Sequence, residues 1–237
     1  MKIRTTQLEG NGDFRSTEAI ELLKEADIVV TNPPFSLFRE YIAQVMKYDK
    51  KFLVVGNYNS VTYKEIFPLF KNNKMWIGVS PRSMDFVLPD KSIVKVNACW
   101  FTNLPHNKRS QKIILYKNYT PKDYSKYDNL DAINVDKVKD IPCDYDGLIG
   151  GPITFLEKHN PDQFEIIALG VGLDNFTPNK EYLNPKKHMT NGKVVGGGAM
   201  NYQLAIEASS RPTGTYYTSD NSNYLTAPYA RVLIKRK

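Results

Sequence analysis

Apolar residues in the first half of the chain recur alternately at helical spacing and in short unbroken runs. Between residues 17 and 25, Ile20, Leu22 and Leu23 stand among acids, which predicts a short helix. Ser16 ahead of Glu18 and Glu21 supplies its start. The run Ile28-Val29-Val30 then predicts a strand over 27–31. Leu37, Phe38, Tyr41, Ile42 and Val45 return to helical spacing over 37–47. Phe52-Leu53-Val54-Val55 predicts a second buried strand over 51–56. Residues 62–70 read as helix, with Pro68 ending or kinking it. Residues 75–79 and 98–102 read as further strands. Strands alternating with helices predict an α/β fold with a parallel sheet and helical crossovers.

The second half reads differently. Residues 117–139 are rich in Tyr, Asp, Asn and Lys with little periodicity. Residues 164–169 and 231–234 look like strands, and 156–159 is too short to assign. From 172 to 228, Gly, Asn, Pro, Ser, Thr and Tyr dominate, which predicts a loop-rich, mainly β region. The change of character places a boundary near residue 120, dividing the chain into 1–120 and 121–237.

Composition narrows the class only a little. The chain has 237 residues, 41% of them hydrophobic and 24% charged, ordinary values for a globular protein. The net charge of +7 suits a polyanionic partner. Fifteen tyrosines mixed with Lys and Arg fit nucleic-acid contact, and they fit plain packing too. Cys99 and Cys143 make no disulfide framework. His106, His159 and His188 make no metal-ligand spacing with them, so no metal is expected. No apolar run reaches membrane-spanning length and no secretory leader opens the chain, which points to the cytoplasm.

The candidate chemistry lies at Asn32-Pro33-Pro34-Phe35, directly after the strand at 27–31. Two prolines fix φ and supply no N–H, so the corner is stiff. A residue before proline is held extended, so Asn32 ends the strand. The Asn32 side-chain carbonyl and the Pro33 backbone carbonyl are two acceptors suited to the two hydrogens of an exocyclic amine. Phe35 offers a face for stacking a base, worth roughly 1–3 kcal/mol. Read alone, the tetrapeptide is equally a simple turn. Its place at the carboxyl end of a strand, where open α/β sheets bind ligands, favours a site.

Here a family becomes recognisable. Gly12-Asp13-Phe14-Arg15-Ser16, the stretch from Asp27 through Asn32-Pro33-Pro34-Phe35 to Glu40, Lys64-Glu65-Ile66-Phe67-Pro68, Cys99-Trp100-Phe101-Thr102-Asn103-Leu104 and Tyr127-Asp128-Asn129 carry it. Together they resemble the EcoRI-type adenine-specific DNA methyltransferases, from about Gly12 to the C-terminal Lys237. The resemblance implies part of a Rossmann-like methyltransferase sheet, with an antiparallel edge, and a C-terminal recognition region. It implies methyl transfer from S-adenosylmethionine to the amine of an adenine flipped out of duplex DNA. It makes Asn32, Pro33, Pro34 and Phe35 catalytic, and gives Asp13 and Phe14 to cofactor contact. The basic residues Lys108, Arg109, Lys112, Lys235 and Arg236 are the candidate phosphate contacts.

Set against the family pattern, the glycine loop of the main S-adenosylmethionine site is not found. Gly10-Asn11-Gly12, Gly170-Val171-Gly172 and Gly196-Gly197-Gly198 are only fragments of such a loop. The expectation is that an N-terminal cofactor-binding segment is lacking. The strand at 27–31 then expects a neighbour along its edge and cover on both faces. A second copy, a separately encoded segment or a rearranged part of this chain would supply it. Two further readings stay open: methylation of another planar amine, and an inactive or split-enzyme DNA-binding fragment.

Overall fold

The computed structural model describes residues 5, 7–79, 82–172 and 176–237. The chain divides into two compact units, 1–106 and 107–237, earlier than the boundary expected near residue 120.

Unit 1 opens with α1 (Thr17–Glu25), capped by the Ser16 side chain, which accepts from the Ala19 N–H. Strand β1 (Ile28–Thr31) follows, then a single 3-10 turn at Phe35–Leu37 and α2 (Phe38–Lys47). Strand β2 (Lys51–Asn57) lies parallel to β1. A 3-10 turn at Tyr58–Thr62 leads to α3 (Phe67–Lys71). Pro68 stands in the first turn of α3, where a missing N–H costs nothing, so it starts this helix rather than ending one. Strand β3 is only Trp76–Ile77. A hairpin of β4 (Met84–Val87) and β5 (Ile93–Val96) leads to β6 (Ala98–Thr102). The sheet order is β1-β2-β6-β3, with β6 antiparallel to both neighbours.

One face of this sheet is closed by α2 and α3. Phe38, Ile42 and Val45 of α2 are buried, and the Phe38 ring lies 4.9 Å from Phe101. Gly56 makes room for it: a Cβ there would lie 2.4 Å from the Phe38 ring. The opposite face is less covered. Ile28 is 48% exposed and Val30 63%. Strand β1 therefore departs from the expectation of cover on both faces. It also ends the sheet, with β2 its single strand partner among the described residues.

Unit 2 starts at α4 (Asn107–Ser110) and builds two sheets. The first holds β7 (Ala132–Asn134), β8 (Leu148–Pro152), β9 (Phe164–Leu169) and β15 (Arg231–Arg236), in the order β7-β8-β15-β9. The second holds β10 (Lys186–His188), β11 (Val194–Gly196), β12 (Ile206–Ala208), β13 (Tyr216–Ser219) and β14 (Ser222–Thr226). Every pairing in it is antiparallel, in the order β11-β10-β13-β14-β12. The mixed α/β architecture and the mainly β second half agree with the sequence reading.

Unit 2 carries a pH-sensitive core group. His159 is buried, its Nε2–H donating to the Phe164 carbonyl at 3.0 Å. Burial holds its pKa down to about 4, against an ordinary 6.5. The unfolded chain therefore binds this proton at higher pH than the folded one. Stability is complete above pH 6.5 and falls as pH drops towards 4. The expected loss is about 2 kcal/mol between about pH 7 and about pH 5, read from urea midpoints. A His159→Phe variant should show a flatter profile over that interval.

Candidate functional site

The corner is made by chain direction. Strand β1 ends at Thr31, and Asn32 and the two prolines carry the chain off the sheet. Asn32 and Pro34 are exposed, Phe35 is half-buried and Pro33 is buried. The Pro34 carbonyl accepts from the Leu37 N–H at 2.9 Å, which fixes the turn into α2. No backbone hydrogen bond among the described residues claims the Pro33 carbonyl. Asn32 is thus open to solvent at the corner, while Pro33, whose carbonyl the sequence reading offers as the second acceptor, lies buried beneath it. Phe35 meets Phe86 of the hairpin edge-on, their centroids 6.1 Å apart at 89°.

Asp13 and Phe14 join the same neighbourhood through α2. The Phe14 ring packs edge-on against Tyr41 at 5.1 Å, and its carbonyl accepts from Gln44 Nε2 at 2.7 Å. Tyr41 in turn hydrogen-bonds the Thr31 side chain. Burial pushes the Tyr41 phenol up, and that hydrogen bond acts the other way. Phe14 is therefore linked, through one tyrosine, to the residue that precedes Asn32.

Asp13 is engaged by Arg15. Its Oδ1 accepts from the Arg15 N–H at 2.9 Å and from Nε at 3.0 Å, and its Oδ2 from Nη2 at 2.8 Å. These hydrogen bonds hold the carboxyl down to about 2, so it stays ionised. Arg15 Nη1 also reaches Glu40 Oε2 at 3.3 Å.

The candidate phosphate contacts belong to unit 2. Lys108 and Lys112 line a cavity of about 350 Å³ with Lys139 and Lys158. The latter two were not singled out from the sequence, where nothing marks them among the other lysines. Arg109 turns inward: burial lowers its pKa while the charge of Asp162 raises it. Lys235 is exposed, and Arg236 is half-buried with Nη1 lacking a hydrogen-bond partner. Gln163 brings the two basic segments together. Its side chain donates to the Ile113 carbonyl and accepts from the Ile113 N–H, both at 2.8 Å. Its own carbonyl accepts from the Lys237 N–H at 3.1 Å. Backbone segments more than 120 residues apart are thus tied together through one glutamine.

Cations and rings also meet in the five-stranded sheet. His188 stacks on Tyr216 at 4.5 Å and 3°, with the Arg211 guanidinium 5.6 Å from the same ring. Lys187 stands 5.9 Å from the Tyr217 ring. Among the described residues no group of His, Cys, Asp and Glu is arranged to hold a metal. No helix among them is long and apolar enough to cross a membrane.

Three curated relatives bear on identity. The chain is 51% identical over 185 residues to the Type II methyltransferase M.EcoRI of Escherichia coli, covering 70% of this chain and 57% of that protein. It is 44% identical over 188 residues to M.MgeORF184P of Mycoplasma genitalium and 41% identical over 187 residues to M.MpnI of Mycoplasma pneumoniae. Both are Type II methyltransferases by name, and each match covers 70% of this chain and 59% of the relative. The chain therefore matches less than two thirds of these relatives' length. No solved structure matches it. The model of the family described as adenine-specific methyltransferase EcoRI matches residues 1–237, and the chain belongs to that family.

Proposed function

We propose that this chain is the catalytic and target-recognition part of a site-specific DNA adenine methyltransferase of the restriction–modification type. Unit 1 is the catalytic part, its sheet a portion of a Rossmann-like methyltransferase sheet, and unit 2 reads the target. The observation that carries this reading is the corner at Asn32-Pro33-Pro34-Phe35, where Asn32 is exposed at the carboxyl end of β1 directly before the two prolines. An amine with two hydrogens meets two oxygens there, beside a ring. Accepting both hydrogens favours a more pyramidal amine, with its lone pair drawn out of the ring system. Holding that amine in line with the methyl group supplies much of the acceleration. The adenine must leave the duplex to reach the corner, and stacking on Phe35 offsets part of that cost.

The residues at hand are compatible with S-adenosylmethionine. A carboxylate has about four lone-pair sites, and Arg15 uses three at Asp13. The remaining site on Oδ2 suits the cofactor's adenine amine or a ribose hydroxyl, and Phe14 adds an apolar contact. When bound, the cofactor supplies an electrophilic methyl group. No general base is needed to begin, because the amine proton leaves to water after transfer.

The exposed edge and face of β1 favour a second element of the reading. A strand from another copy or from an N-terminal segment pairs with Ile28–Thr31 and completes the site. The deciding experiment is incorporation of labelled methyl groups into duplex DNA by the chain, with and without an added N-terminal segment. The product should be N6-methyladenine. A chain that binds duplex DNA but transfers no methyl under either condition would instead be a DNA-binding fragment.

The basic residues make their own prediction. Each phosphate contact contributes about 0.9 to the slope of log affinity against log salt. Lys108→Ala with Lys112→Ala should lower that slope by about 2 and weaken binding to all duplex sequences alike. An unchanged slope in a salt titration would remove the cavity at Lys108 and Lys112 from the DNA interface.

A further inference from the structure

The hairpin of β4 and β5 is an odd structure to leave in water. It belongs to none of the three larger sheets, and among the described residues its two strands pair only with each other. Val87 and Ile93, directly opposite each other, are 72% and 68% exposed. On the other face Val94 is exposed, and so is Leu88 at the tip. Apolar side chains therefore project from both faces of the outer half, where a solvated ribbon would carry polar ones.

Its exit and tip are both fixed. Strands β1 and β2 are parallel and β6 runs against them, so the chain enters β6 at the same sheet end where Asn32 leaves β1. The Tyr58 N–H donates to the Asn97 carbonyl at 2.9 Å, tying the hairpin's exit to that end. Phe86 rests against Phe35. At the tip, Leu88 N–H donates to the Ser92 carbonyl and Lys91 N–H to the Leu88 carbonyl, both at 2.9 Å. Asp90 accepts from the Ser92 N–H and hydroxyl at 2.9 and 2.6 Å. The turn Pro89-Asp90-Lys91 is thus held in one shape, and Lys91 and Lys95 are exposed, Lys95 directly opposite Asp85 across the ladder.

We propose that this hairpin is a DNA wedge: the Leu88-Pro89 tip, backed by Val87 and Ile93, enters the base stack beside the extruded adenine. The inference rests on the base-flipping reading above and adds the residues that hold the duplex open. Leucine, isoleucine and proline are side chains used as wedges between base steps. A two-stranded ribbon fits the major groove, which is about 8.5 Å deep, and four residues of strand reach about 13 Å. The contact between Phe86 and Phe35 then couples the wedge to the ring on which the base is to stack.

The test uses a duplex enriched by the unaltered chain from a random pool, with 2-aminopurine at the target adenine. Unaltered protein should raise its fluorescence. A variant with Val87→Ser, Leu88→Ser and Ile93→Ser should lose about ten-fold in binding the intact duplex, with most of the fluorescence rise. The same variant should bind within about two-fold of the unaltered protein when the duplex has an abasic gap at the wedge position, where the stack is already broken. Equal fluorescence from variant and unaltered protein would overturn the wedge while leaving base flipping intact. No enrichment and no rise with unaltered protein would overturn the flipping reading itself. As a folding-independent check, Leu88→Trp should show quenched tryptophan emission on binding duplex, and unchanged emission would count against insertion.

Discussion

Asn32→Ala is expected to lower methyl transfer by about 10²–10³-fold, the usual cost of removing one well-placed hydrogen-bonding group at a reacting centre. The alanine deletes one of two acceptors and leaves the Pro33 carbonyl to hold the amine alone. The side chain is exposed and caps no helix, so the melting profile should not move. Affinity for duplex DNA should stay within a small factor, since phosphate contacts supply most of it. The assay is single-turnover methyl transfer at saturating DNA, in whichever assembly the unaltered chain is active. Asn32→Asp makes the sharper companion. It keeps an acceptor but adds charge, so it should retain more activity than alanine and show a new pH dependence. Full activity in Asn32→Ala would sink the assignment of the corner.

Much of unit 1 was legible because its signals are local. Ser16 marks α1, and the spacing from Phe38 to Val45 marks α2. The apolar runs at β2 and β6 were found for the same reason. Pro68 was misread because a proline in a first helical turn and one that breaks a helix look alike in sequence. The unpaired edge of β1 was legible only through the family pattern, and its exposed face at Ile28 and Val30 was not, because an unbroken Ile-Val-Val run reads as covered on both sides. The β4–β5 hairpin escaped notice because its turn has no glycine, with Lys91 adopting a positive φ of 67°. The catalytic candidates at 32–35 sit in one tetrapeptide, so pattern and chemistry coincided there. The tie between the two basic segments did not follow from pattern, because Gln163 joins backbone from the two ends of unit 2. Arg109 shows the limit of reading charge from sequence, since one member of a basic cluster of three is partly buried.

Phe38→Ala is the second large effect expected. Phe38 is 1% exposed, lies over Gly56 and touches Phe101 in the centre of the sheet. Truncating a buried phenylalanine costs about 3–5 kcal/mol, from lost transfer energy and the cavity left behind. Both tryptophans, Trp76 and Trp100, belong to unit 1, so their emission during urea unfolding reports this loss directly. Phe38→Leu should lose less, since it refills much of the volume. The effect should extend beyond stability, because Phe38 directly follows the turn that carries Phe35. A cavity there lets that turn settle inwards and displaces the ring meant to stack the base. Methyl transfer should therefore fall even at temperatures where unit 1 remains folded, with the loss partly rescued in Phe38→Leu. A midpoint shift worth less than about 1 kcal/mol would mean the sheet does not depend on this contact. Unchanged transfer in a measurably destabilised Phe38→Ala would separate the core beneath the corner from the chemistry above it.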